Sequence, residues 1–360
     1  MSLLGRRKDI NKLRQIALIC TLNFIPKANK YSIFVIMNHL FNKPILGILN
    51  AQNENDEITH VNDLGAVYNL MCKEYLENTP ILKPTDTGFG VALSPQHAID
   101  CLADHLRTSR FLKGIHAALE DVLSTNQSTK IEIVYAGCGP LATLIIPLLH
   151  LFDAKRLNIT LIDIHESSVE NAKHLIKHLN YEDYFKLIVS ADATKYVHDY
   201  PIDILITETM DKGLTKEPQV AITQSLVPQL QPNGILIPKQ ISLFHDHSIL
   251  TDHVPAPKSV TEGLPPTSMS GKTQLFQIDK TIGSELFEFQ SEPILKPESF
   301  RDAPDICIFT ELEVFDSIKI YSNQSYITNP ICVIALSEIA SLSYRLKYSQ
   351  LPRPNWSIKK

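Results

Sequence analysis

The sequence predicts an α/β fold built on an open, parallel, Rossmann-like sheet, with a helical extension before it and a β-rich, barrel-like region after it. Three observations carry this. Between Lys130 and Pro238, short apolar runs alternate with helical segments, which is how strands covered on both faces by crossover helices read. The first run passes into "AGCGPLA" (136–142), a strand end, a glycine turn and a helix start; such a turn lets backbone approach a polar ligand closely. After Pro238 the helical spacing gives way to turn-separated segments rich in Ser, Thr and Pro, then "ICIFTELEVF", "SIKIYS" and "ICVIALSEIA". Those runs indicate an antiparallel sheet or barrel.

Taken in order, "MSLLGRRKDINKLRQIALICTLNFIP" (1–26) places basic residues before a short apolar run, but Thr21 and Asn23 break the run and no small-residue cleavage pattern follows. It reads as an amphipathic helix rather than a secretory signal. Helical spacing continues in "IFVIMNHLF" (33–41) and "LGAVYNLMCKEYL" (64–76), divided by the polar stretch "NAQNENDEITH" (50–60), expected to be a loop. Ser94 and Pro95 form an N-cap and N1 pair, and residues 96–123 continue as one or two helices ending near Ser124. The strand runs are "IEIVYAG", "NITLIDI", "FKLIVSA", "DILITET" and "GILIPKQ"; helices are expected in "PLATLIIPLLHLF" (140–152), "SSVENAKHLIKHL" and "PQVAITQSLVPQL". Three regions follow: an N-terminal helical extension (1–93), a nucleotide-binding α/β domain (94–238), and a β-rich domain (239–360) expected to serve substrate contact and homodimer formation.

At 360 residues with 44% hydrophobic content, the chain can fill two cores. Its net charge of -5 gives no general attraction to nucleic acid or anionic membrane, and no apolar stretch has membrane-spanning length. The six cysteines are scattered without a C-x-x-C pair, which argues against a disulfide framework or zinc knuckle and fits a cytoplasmic setting.

Taken alone, "GCGPLA" also satisfies the nicotinamide-dinucleotide fingerprint, and Asp163 after the next strand could accept ribose hydroxyls in either case. Asp192 in "VSADATKY" and Glu208 in "ILITETM" place two more acids at successive strand ends. A sheet binding S-adenosylmethionine needs such residues for the ribose, the adenine edge and the methyl acceptor. Asp163 could otherwise cap the following helix, and Asp192 could close a turn.

The motifs resemble those of the protein arginine methyltransferases. "LADHLRTSRFLKGIHAAL" matches their D-x-x-R-T-x-x-F/Y-x-x-x-I pattern through Asp104, Arg107, Thr108, Phe111 and Ile115. "GCGPL" is similar to the form found in the symmetric-dimethylating branch. "ETMDKGLTKE" spaces Glu208 and Glu217 as the family's double-glutamate hairpin does, and "LVPQLQPNGILIP" resembles the strand leading into its β-barrel. The likeness covers about Ser94 to Pro238. It implies S-adenosyl-L-methionine as cofactor, held by Arg107, Gly137, Gly139, Asp163 and Asp192, with Arg107 on the cofactor carboxylate; a salt bridge to Asp104 is the structural alternative for Arg107. Glu208 and Glu217 would be catalytic. A guanidinium stays charged at neutral pH, so its nitrogens are poor nucleophiles until carboxylates draw the charge away from the attacking one.

There are departures. Asp211, Lys212 and Lys216 lie within the hairpin, where a lysine could neutralise a glutamate. The family's Thr-His-Trp loop has no counterpart, the single tryptophan being Trp356, and Tyr135 replaces the acid common on the first strand. Three other readings stay open: a methyltransferase for a small molecule or peptide, a nucleotide-binding module without turnover, and a nicotinamide-dependent oxidoreductase. His245, His247 and His253 with Asp246 and Asp252 could be sketched as a metal site, but a surface strand is the expected reading, with no metal. Cys138 lies within the glycine turn without a partner base, which argues against a catalytic thiol.

Overall fold

The computed structural model describes residues 30–78, 83–126, 130–249, 271–297 and 304–359. The segment expected to form the first amphipathic helix lies outside them, as do His253 and Asp252.

Two helices, α1 (Lys30–Leu49) and α2 (Glu54–Asn78), open the described chain. The polar loop between them is shorter than expected. The Asn53 side chain accepts the Asp56 N–H at 3.0 Å, and Glu54, Asp56 and Glu57 occupy the first turn of α2. A cap and three acids at the positive end of the macrodipole draw this polar sequence into helix. A short hairpin, β1 (Thr85–Asp86) and β2 (Val91–Ala92), leads to α3 (Pro95–Asp100), capped by Ser94 as the sequence indicates, and then to α4 (His105–Thr125).

The central sheet contains β3 (Ile131–Ala136), β4 (Leu157–Asp163), β5 (Phe185–Ser190), β6 (Ile202–Thr207) and β7 (Leu230–Ile237), all parallel, in the order β5-β4-β3-β6-β7. Side chains alternate across it. Ile131, Ile133 and Tyr135 of β3 face a core shared with α4 and α5 (Glu166–Leu179), while Val134 and Ala136 face a smaller core with α6 (Gln219–Leu226). The helix expected over 140–152 does not form. That stretch runs through turns into a 3-10 segment, Ile146–Leu151, with Ala142 at φ 41. Pro140 and Pro147 each remove a backbone donor, and nearly every side chain of this apolar run is buried, so packing outweighs helical propensity. The strand order reverses between β3 and β6, which opens a crevice at their carboxyl ends.

The C-terminal region forms two antiparallel sheets. One has β8 (Gln240–Ser248), β9 (Thr273–Asp279), β12 (Asp305–Phe315) and β13 (Ile318–Ile320) in the order β13-β12-β8-β9, with β14 (Ile331–Ala335) also on β12. The other pairs β15 (Ser343–Ser349) with β10 (Glu288–Gln290), β11 (Ile294–Leu295) and β16 (Asn355–Lys359). Among the described residues these strands do not close into a barrel, because the short β10 and β11 pair with β15 and neither reaches β9. One large apolar core runs from Ile45 of α1 and Leu64 of α2 through Ile133 to Ile308 of β12 and Leu346 of β15.

Candidate functional site

The crevice holds a cavity of about 220 Å³ at the carboxyl ends of β3, β4 and β6. Arg107, Gly137, Gly139, Asp163, Asp192, Glu208 and Glu217 all line it. Residues of the β1–β2 segment, Ala98 of α3, Cys101, and Tyr326 and Ile327 of a turn at Tyr326–Thr328 complete the wall.

Gly137 and Gly139 have φ of 73° and 64°. A methyl group on Gly137 would be driven into the Thr209 side chain, and one on Gly139 would stand 3.1 Å from the Ala98 Cβ, so both positions require glycine. The Gly137 and Cys138 N–H groups donate to the Ile162 carbonyl at 2.8 and 3.1 Å, which folds the turn against β4. Asp163 completes the link. One carboxylate oxygen accepts the Gly139 N–H and the other the His165 N–H, both at 2.9 Å. The His165 ring then reaches the Thr85 hydroxyl at 3.1 Å, joining the glycine-turn side of the crevice to the β1–β2 hairpin. Asp192 closes its own turn, accepting from the Thr194 N–H, the Thr194 hydroxyl and Lys195 Nζ. Burial alone would raise its pKa, but these bonds outweigh burial and hold it below the ordinary value.

Arg107 lies in the first turn of α4, 5% exposed. It pairs through Nη2 with Glu208 Oε2 and donates from Nη1 to the Cys101 carbonyl at 3.3 Å, while its buried Nε has no partner. Asp104, the alternative partner, instead accepts the Ser325 hydroxyl at 2.6 Å and the Tyr326 N–H at 2.8 Å. That contact docks the Tyr326–Thr328 turn beside the crevice.

Glu208 directly follows β6, and Glu217 lies at the far end of the hairpin; they are 8% and 9% exposed. Burial pushes the Glu217 carboxyl up to about 8, Asp211 adds to the rise, and Arg107 and Lys216 partly offset it. The hairpin is held at several points. At its base, Gln219 Oε1 accepts the Thr209 N–H at 2.8 Å and Gln219 Nε2 donates to the Thr207 carbonyl at 3.3 Å. At its tip, Trp356 Nε1 donates to the Gly213 carbonyl at 2.8 Å and the Tyr348 hydroxyl to Leu214 at 2.9 Å. Along its side, the Val91 N–H donates to the Lys216 carbonyl at 2.7 Å, where a methyl on Gly90 would collide with that oxygen. Lys216 pairs with Asp211 at 2.8 Å, so the cation paired with Glu208 is Arg107.

Sequence reading did not find Gln219, His165, Tyr348 or the Gly90 contact, and noted Trp356 only as the single tryptophan. Each acts through a fold-dependent contact, although Gln219 follows Glu217-Pro218 closely enough to be suspected. The histidine cluster is corrected: β8 is buried rather than a surface strand. His245 and His247 both reach the Tyr344 hydroxyl, at 2.9 and 2.7 Å, and burial followed by the neighbouring His247 pushes His245 down to about 4. Among the described residues no group of three or more His, Cys, Asp or Glu is arranged to hold a metal ion. No described helix is long and apolar enough to cross a membrane.

A parallel sheet reversing at β3 and β6, with a glycine turn on one strand and an acid ending the next, defines a Rossmann-like nucleotide-binding core. Among solved structures, it is the protein arginine methyltransferase version of this fold that the chain resembles. PRMT6 matches at 12% identity over 72% of this chain and 97% of its own, with a TM-score of 0.51. PRMT6 solved with SAH matches at 10% identity over the same shares, TM-score 0.50. The Trypanosoma brucei PRMT1 enzyme-prozyme heterotetramer with AdoHcy matches at 13% over 70% and 86%, TM-score 0.45. No protein-family profile and no curated protein sequence matches the chain.

Proposed function

We propose that the protein is an S-adenosylmethionine-dependent methyltransferase acting on a guanidinium or another nitrogen acceptor. The observation that carries this reading is the convergence of two buried carboxylates, Glu208 and Glu217, on the cavity that also holds the glycine turn and Asp163. S-adenosylmethionine suits the residues present. Gly137 and Gly139 line the cavity without side chains, and Asp163 and Asp192 offer acceptors for ribose hydroxyls and adenine. Bound there, the cofactor supplies an electrophilic methyl group.

The protein's own work is electrostatic and positional. Arg107 occupies Glu208 Oε2, and Oε1 has no partner among the described residues, so Glu208 can grip an acceptor N–H while Arg107 fixes its orientation. Glu217 is largely neutral at pH 7. An incoming guanidinium favours its ionised form, and the pair of carboxylates then draws positive charge away from the attacking nitrogen. With its carboxyl pushed up to about 8, chiefly by burial, Glu217 is also suited to receive the proton that the methylated nitrogen gives up. Tyr326 and Ile327, beyond the parallel sheet, form the acceptor-side wall.

Calorimetric and thermal titration with S-adenosylmethionine, S-adenosylhomocysteine and NAD tests the cofactor. Ligand at 100 times its dissociation constant stabilises the native state by about 2.7 kcal/mol. The adenosyl compounds should give this shift in the native protein and lose it in Asp163→Ala. Protection by NAD alone would make the oxidoreductase reading correct.

A further inference from the structure

Resting on the cofactor reading above, we infer that Tyr135 is a positioning residue for the amino-acid end of the cofactor. It stands where many sheets of this class place an acid. It is the fifth residue of β3, 2% exposed, with its ring in the main apolar core. Tyr135 also lines the cavity, together with Arg107, Cys101, Cys138 and Asp163. Its hydroxyl makes no hydrogen bond among the described residues, and the residue is all but buried at the edge of the cavity. An unpaired hydroxyl in so buried a position costs free energy unless a ligand completes it.

The chemistry of that ligand follows from the neighbours. Burial raises the phenol well above its ordinary range, with Arg107 opposing the rise, so at working pH it is neutral and able to donate. Arg107 carries a second unpaired donor, the buried Nε. A neutral phenol donor beside a guanidinium suits a carboxylate. An acid at position 135 would add a negative charge beside Asp163 and compete with Glu208 for Arg107, whereas the phenol contributes a donor and leaves the Arg107–Glu208 pair intact. The Rossmann wall formed by Asp163 and Asp192 takes the nucleoside, and Tyr135 with Arg107 takes the carboxylate of the methionine portion.

Tyr135→Phe removes one oxygen and keeps the ring. Two ligands separate the contributions: S-adenosylhomocysteine, which carries the amino-acid end, and 5′-methylthioadenosine, which lacks it. Titration calorimetry on native and variant protein should show about a tenfold or greater loss of affinity for S-adenosylhomocysteine, with 5′-methylthioadenosine unchanged within about twofold. The ligand-free melting temperature should stay level or rise. Equal loss on both ligands, or no loss on either, overturns the assignment. Should Tyr135→Phe fold poorly, Tyr135→Met keeps an apolar filling and the same ligand comparison applies. Binding of neither compound by the native protein overturns the cofactor reading and this assignment with it, a result distinct from a selective failure at Tyr135.

Discussion

Glu217 is where the proposed chemistry leaves its plainest thermodynamic trace. Burial pushes its carboxyl up to about 8 in the folded protein from an ordinary 4.5. Between those values the folded state keeps a proton that the unfolded chain has lost, so this residue makes stability fall as pH rises, with the full cost reached above about 8. At 1.36 kcal/mol per unit the cost is roughly 4–5 kcal/mol. Glu217→Gln should therefore raise the melting temperature at pH 8.5 far more than at pH 4.5, while abolishing methyl transfer; denaturation at both pH values checks this. In the native enzyme, KM for a guanidinium acceptor should fall as pH rises from 6 to 8 and then level. A pH-independent KM would show that Glu217 does not meet the acceptor. The residues that could be read from the sequence were those whose spacing is local: the two glycines, Asp163 two residues short of the next helix cap, and the nine-residue separation of Glu208 and Glu217. Tyr135 was legible only as a missing acid. Its open hydroxyl needed the cavity to be seen.

At the scale of elements, the hairpin that carries both glutamates depends on partners distant in the chain. Gly90 packs so closely on the Lys216 carbonyl that any side chain must displace one strand or the other. Gly90, at φ 138, also adopts a conformation L side chains rarely take. Gly90→Ala is expected to cost more than about 1 kcal/mol and to lower turnover, measurable by urea denaturation beside initial rates. Gln219→Ala removes the brace across the hairpin base and should lower kcat by about tenfold or more, with a smaller loss of affinity for S-adenosylhomocysteine because Thr209, which Gln219 holds, packs against Gly137. Element types were largely legible, since alternating strands and helices state their period directly. Residues 140–152 were not: an apolar run carrying two prolines is as compatible with turns packed into a core as with a helix, and only the surrounding burial selects between them. The polar stretch 50–60 failed for the opposite reason, because a cap and helix-dipole acids made helix out of a sequence that reads as loop.

Across the whole molecule, one apolar core joins the N-terminal helices, the parallel sheet and the C-terminal strands, and a buried ionic cluster clamps them. Glu57 of α2, 2% exposed, takes both oxygens to Arg110 Nε at 2.9 and 3.0 Å and Lys113 Nζ at 2.6 Å, while Arg110 continues to the Lys319 carbonyl of β13 at 3.0 Å. Removing the shared anion leaves two cations facing each other in a partly buried pocket. Glu57→Ala is expected to lower stability by about 3–5 kcal/mol, read by chemical denaturation.

The most direct measurement is transfer of a labelled methyl group from S-adenosylmethionine to a peptide library containing arginine and lysine, followed by hydrolysis and separation of the methylated amino acids, in native protein, Glu208→Gln and Glu217→Gln. This chemistry places label on a nitrogen, foremost on arginine, that both substitutions abolish while S-adenosylhomocysteine still binds. Label undiminished by either substitution, or cofactor binding with no label on any nitrogen, would contradict it.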